Sequence, residues 1–326
     1  MRASDDDSTS VLLLDGSPAS ASLPGDGGGS GSGGVSHALD GLSVTLDELL
    51  SADPEEHVVA HHWPLWSVAV LVIELLVCVV SIVYSGVAPL GLNPWLGPSA
   101  DTLVLFGATW APLIEVGQIW RVLTSLLIPV GLLQYAFLAV MRVFVSIPLE
   151  RHVGSVRLGF VYVLSGIGGS LASASFLGDT IESGASPSVC GLLAVYMLDL
   201  WFYWRFHPRG RMEVFGVSLT YAIIILCGFL PGMDIFAHLG GTIMGIFAGL
   251  LVLETPPAFI RNRFHIPSTL RLRIAGSIGI ALFLLTTLLL VYVGADAVAQ
   301  SCEWCSLMNC IPLFRWCSFA PSSDSF

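Results

Sequence analysis

Seven stretches of mainly apolar residues, near 65–84, 124–147, 158–177, 187–204, 213–231, 235–253 and 274–294, dominate this sequence. Each is close to the roughly 20 residues a helix needs to cross a hydrocarbon core, and none is long enough to cross twice. In lipid a backbone satisfies its hydrogen bonds only inside helices or closed barrels, and runs of this length select helices. Composition agrees: 54% of the 326 residues are hydrophobic, 11% are charged and the mean hydropathy is +0.80, too apolar for a soluble domain of this length. The expected fold is an all-α polytopic membrane protein, with the lipid bilayer as its first partner.

The formal net charge of −11 comes largely from a polar N-terminal tail that carries Asp5, Asp6, Asp7, Asp15 and Asp26 and continues to Glu56. An acidic chain with no basic stripe has no means of holding a phosphate backbone, so nucleic acid is excluded as a partner. Every basic residue is arginine, and ten of the thirteen (Arg142, Arg151, Arg157, Arg205, Arg209, Arg211, Arg261, Arg263, Arg271 and Arg273) fall at or between spans two and three, four and five, and six and seven. The opposite loops carry Asp101, Glu115, Asp179, Glu182 and Asp234. The positive-inside rule then puts the N-terminus in the cytosol, and the loop after span one and the C-terminus in a lumen or outside the cell. Residues 1–60 have no early apolar core with a basic lead-in, and they are acidic where a mitochondrial leader is Arg-rich. The expected location is the secretory and endosomal system or the plasma membrane.

Three regions follow: an acidic, Gly/Ser-rich, disordered cytosolic tail over 1–60, a membrane domain over 61–296, and a Cys-rich lumenal or extracellular tail over 297–326. Within the first, Leu42, Leu46, Leu49 and Leu50 have helical spacing, either as an amphipathic helix on the membrane surface or as transient helix in a disordered tail. In the last, Cys302, Cys305, Cys310 and Cys317 read as two disulfides, with a zinc knuckle on Cys302 and Cys305 as the competing reading. Cys78, Cys190 and Cys227 lie within spans. The long loop after span one, punctuated by Pro89, Pro94, Pro98 and Pro112 and carrying Trp95, Trp110 and Trp120, has no evident strand pattern. A loop of that length is more often functional than a plain connector.

Ionisable groups inside spans are costly and point to function. They are Glu74, Arg142, Asp199 near the inner end of span four, and His238. Spans one and two run in opposite directions, which sets Glu74 and Arg142 at a common depth, roughly 10–15 Å from the inner boundary, as a candidate ion pair; independent snorkelling is the alternative. His238 sits in Phe236-Ala237-His238-Leu239-Gly240-Gly241, and Gly245 and Gly249 continue a ladder of glycines four apart. Such a face lets a neighbouring backbone approach closely. The matching segment is Gly184-Ala185-Ser186-Pro187-Ser188-Val189-Cys190-Gly191, with Ser186 at the opening of span four. Each residue also has a plain reading: Ser186 as a helix cap ahead of Pro187, and His238 as a hydrogen-bond donor to another helix.

A Gly-Ala-Ser motif opening one helix, followed two helices later by Ala-His-x-Gly-Gly-x-x-x-Gly, resembles the rhomboid family of intramembrane serine proteases. Trp120-Arg121, Glu150-Arg151-His152-Val153-Gly154-Ser155 and Ser165-Gly166-Ile167-Gly168-Gly169 are similar to further family elements. Asn93-Pro94-Trp95-Leu96-Gly97-Pro98-Ser99 and the Cys-rich tail look like the eukaryotic secretase-type members, which add a seventh helix to a six-helix core. The resemblance implies that Ser186 is a nucleophile and His238 its general base, in a dyad that cleaves transmembrane or juxtamembrane segments of single-span membrane proteins. It implies no cofactor, and no cluster of ligand spacing within the spans suggests a metal.

Gly184, Gly191, Gly240, Gly241 and Gly245 are the expected packing supports of this site. The oxyanion donors implied are the Ser186 N–H and Gln134. The family pattern of His and Asn donors is replaced by Pro129, Gln134 and Leu138, of which only Gln134 can donate. Pro187 replaces a glycine and has no N–H, and Cys190 stands where the family often has an aromatic. These departures carry the alternative: a catalytically silent relative that binds transmembrane clients and controls their trafficking or degradation.

Overall fold

The structure is a computed structural model that describes residues 63–178, 180–203, 210–230, 233–255, 267–302 and 305. The expected N-terminal tail and most of the Cys-rich tail lie outside the described residues. Among the described residues seven helices are long and apolar enough to cross a membrane: α1 (Leu65–Ser85), α5 (Leu132–Val153), α6 (Ser155–Phe176), α7 (Ser186–Tyr203), α8 (Gly210–Cys227), α9 (Ile235–Val252) and α10, spanning over Thr269–Tyr292. The long loop after α1 holds α2 (Ala100–Phe106), β1 (Thr109–Trp110), α3 (Ala111–Glu115), α4 (Arg121–Thr124) and a 3-10 turn (Ser125–Leu127). A second short strand, β2 (Ile181–Glu182), lies between α6 and α7.

At the start of α1 the N-cap residue, Pro64, supplies no side-chain cap. Glu150 supplies one instead, accepting from Trp66 N at 2.7 Å through Oε1 and from Ser67 N at 2.8 Å through Oε2. Ser155 Oγ donates to the same carboxylate at 2.5 Å. Between them Gly154, at φ +90°, breaks α5 from α6. The Glu-Arg-x-x-Gly-Ser element thus caps one helix and starts another.

The second span differs most from the sequence expectation of 124–147. It begins at Leu132, because residues 121–127 form α4 and the 3-10 turn and Gly131 lies in an extended conformation. It runs on to Val153 through a π-helical turn, Arg142–Ser146. Pro148 follows that turn and has no N–H for the Phe144 carbonyl, so the helix widens ahead of it rather than leave a regular ladder broken.

The π turn carries Arg142, which reaches Glu74 on α1 with both terminal guanidinium nitrogens and Tyr162 Oη on α6 at 2.9 Å. Tyr162 donates to Glu74 at 3.0 Å, and both charged side chains are 1% exposed. The ion pair read from helix arithmetic is therefore present, with a tyrosine as its third member.

Burial separates inner from outer helices: 78% of the α6 span and 72% of the α7 span are buried, against 17% for α8 and 22% for α10. The bundle is therefore built on α6, α7 and α9, and α10 lies against it. Gly276 and Gly279 on α10 meet Phe247 on α9, and Ser175 Oγ on α6 donates to Thr287 O at 3.1 Å.

The loop before α5 is folded on itself. Asn93 is buried and donates to Pro98 O at 2.8 Å and Val130 O at 2.9 Å. Arg121 donates to Val104 O at 2.5 Å, Ala108 O at 3.2 Å and Gln118 Oε1 at 2.7 Å, and lies over the Trp120 ring. The sequence suggested no strand here, yet β1 and β2 pair antiparallel, Thr109 opposite Glu182 and Trp110 opposite Ile181. Two residues per strand are too few for a period-two pattern to register in the sequence. At the far end, Cys302 and Cys305 are joined in a disulfide, so that pair is bonded rather than metal-ligating; Cys310 and Cys317 lie outside the described residues.

Candidate active site

The segment ahead of α7 is held before the helix begins. β2 is paired with the folded loop, Ser183 Oγ donates to Ile128 O at 2.5 Å, and Gly184 N donates to Ser125 O at 2.9 Å. Gly184 then turns the chain at φ +104°, a conformation that favours glycine, and a Cβ there would lie 2.9 Å from Gln134 Oε1. α7 starts two residues later, at Ser186. As its first residue Ser186 has no i−4 acceptor for its N–H, and Pro187 has no N–H to compete with it. Ser186 is 4% exposed, and its hydroxyl has no hydrogen-bond partner among the described residues.

α9 is capped by Asp234, whose Oδ1 accepts from Phe236 N at 2.7 Å. One turn on, His238 is fully buried, and neither ring nitrogen has a hydrogen-bond partner among the described residues. Its Nδ1 faces α8, 2.9 Å from where a Cβ on Gly228 would be.

α7 and α9 meet in a one-for-one register. A Cβ on Gly241 would lie 2.2 Å from Pro187 O, one on Gly245 2.4 Å from Gly191 Cα, and one on Gly249 3.1 Å from Val195 Cγ2. The pairs ascend together by four residues, so the helices run parallel with their backbones in contact. α6 closes the third side. A Cβ on Gly169 would touch both Pro187 Cβ at 2.3 Å and Ala237 O at 2.6 Å, one on Gly191 would strike Ser165 Oγ at 2.0 Å, and one on Gly240 would lie 2.8 Å from Gly168 O. Ser186 and His238 are the chain neighbours of Pro187 and Ala237, the two residues that share this contact. In the register, Ser186 is level with residue 240, so the His238 backbone is two residues, about 3 Å, nearer the helix N-termini. No hydrogen bond joins Ser186 to His238 in this structure.

Gln134 is fully buried beside Gly184. Its Oε1 accepts from Val130 N at 2.7 Å, which turns the Nε2 group toward Ser183 O at 3.4 Å and Met233 Sδ at 3.8 Å. Both contacts are long, so the amide keeps donor capacity next to the start of α7. Leu138 and Cys190 are core residues of the main apolar cluster.

Two acidic residues read from the sequence only as loop charges are part of this region. Glu182 Oε2 accepts from Ser170 Oγ at 2.8 Å, whereas Glu182 Oε1 and Asp234 Oδ2 are buried without partners. Burial pushes the Glu182 carboxyl up to about 8; the Asp234 carboxyl nearby raises it further and the Ser170 hydroxyl opposes. Burial likewise lifts Asp234 to about 6, against the Ser173 hydroxyl and the N–H groups of Phe236 and Ala237. Asp234, four residues before His238 and just ahead of an apolar helix, carried a capping signal in the sequence; the burial of Glu182 depends on the β1–β2 pairing and had none. Elsewhere, Asp199 at the far end of α7 lies 3.6 Å from His152 Nδ1. Among the described residues no group of three or more His, Cys, Asp or Glu is arranged to hold a metal ion.

This architecture, a six-helix core with the glycine-faced α7 and α9 at its centre and a seventh helix outside, defines a class of polytopic membrane protein. Residues 116–255 match the Rhomboid domain family model. RHOMBOID-like protein 6, mitochondrial, of Arabidopsis thaliana is 28% identical over 242 residues, covering 70% of this chain and 78% of that one. Inactive RHOMBOID-like protein 8 of the same plant is 30% identical over 242 residues, 69% of each chain. Rhomboid-type serine protease 2 of Emericella nidulans is 30% identical over 162 residues, covering 49% of this chain and 32% of that one. The chain belongs to the rhomboid family.

Proposed function

We propose that this protein is an intramembrane serine endopeptidase that cleaves the transmembrane or juxtamembrane segments of single-span membrane proteins. The observation that carries the reading is the register of α7 on α9, which draws the opening of one helix and an otherwise unpartnered buried imidazole to the same contact. Ser186 Oγ attacks the scissile carbonyl carbon and its proton passes to His238 Nε2, the nitrogen turned away from Gly228. The oxyanion takes hydrogen bonds from the Ser186 N–H and the Gln134 amide. The C–N bond then breaks, His238 returns the proton to the leaving amine, and water resolves the acyl-serine by the same route. A serine–histidine bond that is open without substrate is compatible with this chemistry, because catalytic hydrogen bonds often tighten only in the complex. One relative's name, a rhomboid-type serine protease, supports the same reading.

A second reading, a catalytically silent binder of transmembrane clients, is favoured by two observations. Leu138 is a buried core residue rather than a donor, and one relative, matched over 69% of this chain, is named inactive. A fluorophosphonate probe separates the two. Labelling of the wild type in liposomes but not of Ser186→Ala or His238→Ala supports the peptidase, together with cleavage of at least one member of a panel of single-span reporters. A protein that labels in neither detergent nor liposomes is the binder. For location we propose the secretory and endosomal system or the plasma membrane; the relative named mitochondrial makes import into isolated mitochondria the competing outcome to test.

A further inference from the structure

The fifth span, α8, is the least buried of the seven and presents one stripe to the bundle. Val217, Tyr221, Ile224 and Gly228 recur at intervals of four, three and four, a single helical face. Val217 and Ile224 are buried, and Tyr221 packs against the main apolar cluster. The C-terminal end of that stripe, at Gly228, meets His238. Gly228 ends the helix, its N–H shared between Ile224 O at 3.2 Å and Ile225 O at 3.0 Å, and it leaves the space beside His238 Nδ1 that a Cβ would enter at 2.9 Å.

A second link reaches the histidine's backbone. Thr242 Oγ1 donates to His238 O at 2.8 Å, and Tyr221 Oη lies 2.9 Å from Thr242 Oγ1. The threonine has one proton and spends it on the carbonyl, so the tyrosine is the donor. The chain therefore runs Tyr221 O–H to Thr242 O–H to the His238 carbonyl. In soluble triads a carboxylate orients the imidazole. Here neither ring nitrogen has a hydrogen-bond partner among the described residues. Packing and the backbone link are what remain to fix the ring. The titratable groups on the neighbouring segments are Tyr221 and Cys227 on α8, Cys190 on α7 near that tyrosine, and Asp234 at the head of α9.

We propose that Gly228, Tyr221 and Thr242 form a seat, shared between α8 and α9, that sets the position of the His238 imidazole, and that all three are positioning residues for the peptidase proposed above. The inference rests on that reading. It gives α8, the least buried of the seven spans, a part in setting the geometry of the base.

The test is the rate of fluorophosphonate labelling of the full chain in liposomes, followed across pH, with melting temperature as a check on folding. Gly228→Ala is expected to slow labelling about a hundredfold, the scale of a misplacement near 1 Å. Tyr221→Phe and Thr242→Val are each expected to slow it about tenfold and to move the pH midpoint of labelling, whereas Thr242→Ser, which keeps the hydroxyl, recovers most of the rate. Should Gly228→Ala fail to fold, Tyr221→Phe, which removes one oxygen, decides. Wild-type rates and midpoints in Tyr221→Phe and Thr242→Val, with labelling abolished in His238→Ala, overturn the seat and leave the dyad standing. No labelling of the wild type, or unchanged labelling of His238→Ala, overturns the dyad and the seat with it.

Discussion

Arg142 sits almost fully buried between Glu74 and Tyr162, at a depth where lipid supplies no counter-charge. Replacing one member of such a pair leaves the other charge uncompensated. Glu74→Gln is therefore expected to destabilise the protein by about 3–5 kcal/mol, and Arg142→Gln added to it is expected to recover most of that loss. Protein level and melting temperature in a mild detergent check both, and a double variant no better than Glu74→Gln refutes the coupling. The pair was legible in the sequence because two opposed helices and a fixed rise per residue suffice to bring the charges to one depth. Tyr162 was not legible, since a tyrosine in an apolar span looks like any other core aromatic until the π turn aims Arg142 at it. Ser186 and His238 stood out by type and spacing. Gly228 did not, because what it avoids, the imidazole, comes from another helix.

At the scale of elements, the contact of α7 with α9 was readable from glycines four apart, and the structure gives each glycine its partner. Gly245→Val would push a branched side chain into Gly191, whose Cα lies 2.4 Å from a Cβ at 245. It is expected to lower the melting temperature and to slow probe labelling at Ser186 at least tenfold, and normal labelling in a destabilised variant would uncouple packing from the site. The start of α5 was misjudged, because an apolar loop and an apolar span look alike until Gly131 and the folded segment before it divide them. The β1–β2 clasp was illegible too, yet it buries Glu182 above Ser170, and its consequence is a pH dependence of stability. The Glu182 carboxyl titrates near 8 when folded, against 4.5 for the free group, so the folded state holds the proton more tightly. Its contribution is full below pH 4.5 and is lost as the pH rises through about 8. Asp234 acts in the same direction between 3.8 and about 6. Melting temperature is expected to fall as pH rises across this window, and Glu182→Gln to flatten the part above pH 6; an unchanged slope in that variant places the titration elsewhere.

For the molecule as a whole, an odd number of spans puts the two ends of the bundle's chain on opposite sides of the membrane, and two independent features choose between the orientations. Arginines gather at the connections after α5, α7 and α9, the pattern the positive-inside rule associates with a cytosolic side. The disulfide between Cys302 and Cys305 follows α10 and belongs in an oxidising compartment. On these two grounds we propose that the C-terminal end of α10 lies on the non-cytosolic side. In the proposed orientation α7 and α9 begin on that same side, which would place Ser186, the head of α9 and the loop braced by Arg121 and Asn93 away from the cytosol. An N-glycosylation acceptor inserted at residue 91, in that loop, or after residue 302 is expected to be modified in cells, and one inserted at residue 207 is not. The reverse pattern would turn the molecule over, put the disulfide in a reducing compartment, and make any cleavage by Ser186 release its product on the cytosolic side.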